Sequence, residues 1–65
     1  MEFRERLQWL REKKRVSRKT LSEVCGLHSD AVRRYERGEA EPTLHALVAL
    51  AEYLEVTVDY LIGRD

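Results

Sequence analysis

Gly26 separates two short amphipathic segments, and that one residue limits the middle third of the chain to a pair of helices meeting at a tight bend. The segment from Ser17 to Gly38, SRKTLSEVCGLHSDAVRRYERG, opens with a hydroxyl suited to accept from an unpaired amide of a first helical turn. Leu21, Val24 and Cys25 follow at helical spacing as an apolar stripe, and small Ser22 lets a neighbouring helix come close. Gly26 then ends the helix, because a residue in the left-handed region beyond a helix escapes a steric penalty only when it lacks a Cβ. Leu27 is the apolar residue of the turn. A second helix is predicted over residues 29–36, with Gly38 ending it by the same logic.

Projected at about 100° per residue, the second helix places Ala31, Val32 and Tyr35 on one side and Asp30, Arg33 and Arg34 roughly opposite, with Ser29 at the edge. A buried face and an offered face therefore separate. Arginine can donate two hydrogen bonds to guanine O6 and N7 in a DNA major groove, and Ser and Asp can pair with base edges, Asp best with cytosine N4. The alternative for such a charged face is simple solvation. His28 is predicted at the N-cap of this helix, as a turn residue or a phosphate contact.

In their joint register these residues resemble the helix-turn-helix domain of phage Cro and C1 repressors and their bacterial relatives, the Xre family. The resemblance covers nearly the whole chain: Leu7, Leu10 and Arg11, Ser17 to Leu21, Gly26-Leu27, Val32, Tyr35-Glu36 and Gly38, then Pro42-Thr43-Leu44, Leu47, Leu50-Ala51 and residues 56–61. It implies an all-α, compact five-helix bundle of the lambda-repressor-like DNA-binding type, with helices 2 and 3 forming the helix-turn-helix. It also implies a sequence-specific transcriptional regulator whose partner is double-stranded operator DNA; a repressor is the expectation, and the residues themselves leave repression and activation open. On this resemblance Ser29, Asp30, Arg33 and Arg34 face bases or nearby backbone and Arg18 lies at the groove edge; Ser29, Asp30, Arg33 and Arg34 are expected to read bases, and Arg18, Lys19, His28 and Arg37 to hold the DNA backbone. The positions of Arg11 and Glu36 often pair in the family. Such a pair, if buried, locks the opening helix onto the end of the recognition helix, whereas a loose surface pair contributes little.

Two departures from the family pattern bear on mechanism. Arg18 stands where many members have glutamine, so Arg18 and Lys19 place cations in a first turn that the helix dipole disfavours by a few tenths of a kcal/mol up to about 1. A phosphate gripped by both side chains offsets that and sets the register on a duplex. Asp30 stands where many members have an uncharged polar residue. Three roles are open to it: cytosine reader, an element against wrong bases, or a helix-start residue.

The flanking sequence supplies the scaffold. Phe3, Leu7 and Leu10 form a stripe on a helix over residues 2–14, and Thr43 caps a helix carrying Leu44, Leu47, Leu50, Ala51 and Leu54. Thr57 caps a short last helix with Asp59 in its first turn, ending at Gly63. No strand is predicted. The 65 residues leave room for one domain, 1–65, with a small core, and 43% hydrophobic with 37% charged residues fits a compact helical domain.

Net charge is zero, yet its distribution is not even. Residues 1–38 hold eleven Lys or Arg against six Asp or Glu, and residues 39–65 hold one against six, a surplus of five charges of opposite sign in each part. A dipolar molecule of this kind offers a basic side to phosphate. Lys13, Lys14 and Arg15 close the first helix, where the dipole already favours cations. Without a secretion signal or a long apolar run, the chain is expected to be cytoplasmic, with no membrane partner. Ending at Asp65, it is expected to be either a complete small regulator or the DNA-binding portion of a longer one.

An enzyme is not expected. Cys25 and His28 have the spacing of half a metal site, but His45 is the only other histidine and there is no second cysteine. Cys25 reads as a core residue, and neither metal, cofactor nor small-molecule ligand is implied. The rival reading is a protein-interaction module that keeps the fold without binding DNA. Trp9 motivates it, pointing about 130° away from the Phe3, Leu7 and Leu10 stripe. A homodimer is expected, since one short recognition helix reads only a few base pairs, and Tyr53, Tyr60 and Ile62 are the candidate dimer surface.

Overall fold

A computed structural model describes residues 2–64 as five helices: α1 (Phe3–Lys13), α2 (Arg18–Val24), α3 (Ala31–Glu36), α4 (Leu44–Leu54) and α5 (Val58–Leu61). Three hydroxyl caps start three of them. Ser17 Oγ accepts from Thr20 N–H at 2.9 Å, Thr43 Oγ1 from Ala46 N–H at 3.1 Å, and Thr57 Oγ1 from Tyr60 N–H at 3.0 Å. Gly26 and Gly38 both adopt φ of +73°, which reverses the chain after α2 and after α3. Glu55 ends α4 in the same left-handed region, at φ of 62°, without the freedom of a glycine.

α3 begins two residues later than its periodicity predicts. The chain turns at His28, whose carbonyl accepts from Ala31 N–H at 2.9 Å and whose Nδ1 accepts from Asp30 N–H at 3.1 Å. His28 is therefore not the N-cap; Asp30 is, and its side chain makes no capping bond. A second helix supplies that cap. Ser22 Oγ, fully buried on α2, accepts from Val32 N–H at 3.0 Å and donates to Arg18 O at 2.8 Å. One hydroxyl thus satisfies an amide that α3 leaves open and fixes α3 against α2.

The core joins all five helices: Leu7 and Leu10 from α1, Leu21 with Cys25 from α2, Val32 from α3, Leu50, Ala51 and Leu54 from α4, and Leu61 from α5. Phe3 and Tyr35 close one side of it, their rings 6.3 Å apart. Two residues assigned to this core by periodicity lie outside it. Val24 is 53% exposed because α2 buries the face centred between Leu21, Ser22 and Cys25, about 100° from Val24. Leu44 is 72% exposed, in the first turn of α4 and about 95° from the centre of Ala46, Leu50, Ala51 and Leu54.

α3 packs against α2 and α1, and α5 against α4 and α1. An ion pair fastens α1 to the end of α3: Arg11 Nε is 2.7 Å from Glu36 Oε2, and Nη2 is 3.3 Å from Oε1. Arg11 Nη1 also donates to Val16 O at 3.0 Å. The two side chains are 12% and 4% exposed, so this is an interior pair and not a surface contact. Among the described residues no helix is long and apolar enough to cross a membrane.

Candidate nucleic-acid interface

The first turn of α2 and the start of α3 face each other across a shallow groove, because Ser22 and Val32 hold the two helices at close range. Ser17, Arg18, Lys19, Ser29, Asp30 and Arg33 line it. Five of the eight residues assigned to DNA from sequence thus share one concave surface. Arg18, Lys19 and Ser29 are exposed, and Asp30 and Arg33 are half-buried.

Arg34 and His28 line a second groove on the other flank of α3, beside Leu27, Tyr35, Glu41 and Thr43, which meets the first at Asp30. Successive helical residues diverge by about 100°, so the two arginines straddle the helix and do not form one fork. Arg34 is exposed. Arg37 is the C-cap of α3, with Nε 2.8 Å from Glu39 Oε2.

Arg33 and Asp30 are bound to each other. Nε lies 2.5 Å from Oδ1 and Nη2 lies 2.7 Å from Oδ2, a two-point contact between residues three apart on the helix start. The hydrogen bonds from Arg33 hold the Asp30 carboxyl below its ordinary range, with smaller contributions from the charges of Arg33, His28 and Arg34. The same bonds raise the Arg33 guanidinium. Asp30 is therefore committed to a side chain of its own helix, a bond the helical projection did not reveal. Glu39 was also missed, and so was the capping role of Ser22. An acid one residue past Gly38 gives no local signal of the arginines it meets.

On the far side, Trp9 is 42% exposed and, with Leu10, Leu54, Val56 and Tyr60, lines an apolar groove between α1 and α5. Cations cover these aromatics: Lys13 Nζ is 4.5 Å from the centre of the Trp9 ring, and the Arg6 guanidinium is 4.2 Å from that of Tyr60. Tyr53 and Ile62 are half-buried, with Lys14 Nζ 5.4 Å from the centre of the Tyr53 ring. Cys25 Sγ meets Ala49 O at 3.6 Å in the interior, and burial raises its pKa. Among the described residues, no three His, Cys, Asp or Glu side chains gather where a metal ion could be held.

A helix-turn-helix family model matches residues 7–61. The cryptic phage CTXphi transcriptional repressor RstR of Vibrio cholerae is 33% identical over 64 residues, 98% of this chain and 57% of RstR. Repressor protein C2 of Salmonella phage P22 is 33% identical over 61 residues, 94% of this chain and 28% of that protein. The HTH-type transcriptional activator BcrR of Enterococcus faecalis is 32% identical over 65 residues, all of this chain and 32% of BcrR. The chain therefore spans less than two thirds of these relatives. The crystal structure of the P22 c2 repressor in complex with a synthetic operator matches at a TM-score of 0.91 and 31% identity, over 100% of this chain and 98% of that one. By sequence and by fold, the chain belongs to the Cro/C1-type helix-turn-helix family, with the all-α, lambda-repressor-like arrangement of five helices.

Proposed function

We propose that the chain is a single DNA-binding domain, 1–65, of a transcriptional regulator that represses by occupying operator DNA as a homodimer. The observation that carries this reading is the groove in which Arg18, Lys19, Ser29 and Arg33 meet at the starts of α2 and α3. Arg18 and Lys19, with His28 and Arg37, hold phosphates, and Ser29, Arg33 and Arg34 reach base edges. The P22 repressor, which this fold matches closely, is described in complex with operator DNA. Dimensions of 28 × 23 × 19 Å let two copies abut on one face of a duplex with their α3 helices about 34 Å apart. Tyr53, Tyr60 and Ile62 are the surface we assign to that contact.

No catalytic role, cofactor or small-molecule ligand belongs to this reading, and its place is the cytoplasm, with the DNA. The second reading, a protein-interaction module without DNA binding, rests on the exposed Trp9 and its apolar groove. Selection from a random duplex library at about 150 mM salt separates the two, since non-specific phosphate attraction is weakened there. The proposal expects one enriched, two-fold symmetric motif, with two protein copies per duplex by analytical ultracentrifugation. A pool that stays random refutes it.

A further inference from the structure

Arg33 has five N–H donors in a rigid plane, and Asp30 takes only one edge of that plane. The carboxylate oxygens bind Nε and Nη2, at 2.5 and 2.7 Å, leaving the second Nη2 hydrogen and those of Nη1. Of these three, one hydrogen on each Nη points in parallel from the end of the guanidinium. Their spacing suits the paired acceptors of one base edge, guanine O6 and N7. Glu39 Oε1 stands 3.9 Å from Nη1, beyond hydrogen-bonding range, and Arg37 engages the other Glu39 oxygen at 2.8 Å. The end-on pair is thus not consumed within the protein by Glu39.

We propose that Asp30 is a positioning residue: by clamping the side edge of Arg33 it presets the end-on Nη1/Nη2 pair as a reader of one guanine in each half-site. The inference rests on the DNA-binding reading and deepens it, giving an acidic residue at the DNA-facing groove a part in specificity. Its physical basis is preorganisation. An unrestrained arginine loses rotamer freedom when it docks on a base, and the clamp removes most of that loss beforehand. The clamp is also selective in kind. Lysine at position 33, a point charge without a plane, could not satisfy a carboxylate and a guanine edge at once. Both Asp30 oxygens engage Arg33, so any contact with a cytosine N4 would be made by a carboxylate already held in place by that arginine. Its negative charge beside the groove further disfavours random DNA, where there is no guanine contact to compensate.

The test is motif selection with wild-type protein, Asp30→Asn, Asp30→Ala, Arg33→Ala and the double variant Asp30→Ala/Arg33→Ala, followed by affinities on duplexes varied at each enriched position. Wild-type protein is expected to prefer guanine at one symmetric position by about tenfold or more, the discrimination of a two-point arginine contact. Arg33→Ala should abolish that preference. Asp30→Asn and Asp30→Ala should weaken it about threefold or more at the same position, while affinity for random duplex rises. In the Arg33→Ala background, Asp30→Ala should change that preference no further. Asparagine is isosteric with aspartate and suits a helix start, so Asp30→Asn keeps the fold, checked by circular dichroism. An unchanged base preference in both Asp30 variants overturns the proposal. So does the loss of a cytosine preference at a position that Arg33→Ala leaves intact, or an equal effect of Asp30→Ala with and without Arg33. A wild-type pool with no enriched motif overturns the DNA-binding reading itself, and this proposal with it.

Discussion

Replacing Glu36 with alanine removes the partner that neutralises Arg11 between α1 and the end of α3. The guanidinium, 12% exposed, would keep the Val16 carbonyl at 3.0 Å, and its nearest remaining carboxylate is Glu12, at 3.9 Å on the surface. Leaving one member of a buried pair uncompensated costs about 3–5 kcal/mol, and the two residual contacts place Glu36→Ala near the lower end, about 3 kcal/mol. Arg11→Ala strands the more deeply buried carboxylate and should cost more. A chain of 65 residues has a total stability of roughly 3–10 kcal/mol, so either change consumes much of it. At about 4–8 °C per kcal/mol for a domain of this size, Glu36→Ala should lower Tm by roughly 12–24 °C. Thermal and urea unfolding followed by circular dichroism measure this, and the double variant Arg11→Met/Glu36→Leu should recover part of the loss. A Glu36→Ala penalty below about 1 kcal/mol, the value of an exposed pair, refutes the argument that this contact locks the recognition helix in place.

Four further outcomes follow from other parts of the structure. Ser22→Ala leaves the buried Val32 amide without its acceptor and should cost about 1–3 kcal/mol; a neutral effect in urea unfolding contradicts the role of that hydroxyl as a cap supplied from α2. Arg34→Ala should lose about 1–3 kcal/mol on the selected site and less on random duplex, and equal losses on both remove its base-reading role. Lys19→Ala should weaken both alike and reduce the slope of log affinity against log salt by nearly one, while an unchanged slope rules out the phosphate contact. Burial raises the Cys25 pKa, so the neutral thiol favours the folded state: this stability is full below the unfolded pKa and is lost as pH rises through the folded one. Iodoacetamide at pH 8 should therefore alkylate Cys25 slowly until urea unfolds the chain, and equal rates with and without urea contradict its interior placement.

The parts of this fold that were legible in the sequence are those decided locally. Ser17, Thr43 and Thr57 announce helix starts because each cap bonds an amide three residues away, and Gly26 and Gly38 announce reversals because their φ needs no Cβ. What lay beyond reach was set by packing. α2 spans seven residues, too few for periodicity to centre its buried face, and helical spacing alone places Val24 inside although the centre lies between Leu21, Ser22 and Cys25. The start of α3 is fixed by His28 and by a hydroxyl ten residues back, so no local pattern marks it. The candidate site was legible as a set of residues and not as an arrangement. Projection placed Asp30 beside Arg33, but a helical wheel carries no information on whether two such neighbours offer themselves to a ligand or bind each other.

On the proposed function, DNA meets the surface formed by the starts of α2 and α3. Amide and side-chain chemical-shift mapping by NMR, during titration with the selected duplex, tests it directly. The largest shifts are expected on Arg18, Lys19, Ser29, Asp30, Arg33 and Arg34, with Trp9 and Val56 unmoved except through dimer contact. Shifts centred on Trp9, Lys13 and Val56, with Arg33 and Arg34 unchanged, would contradict it.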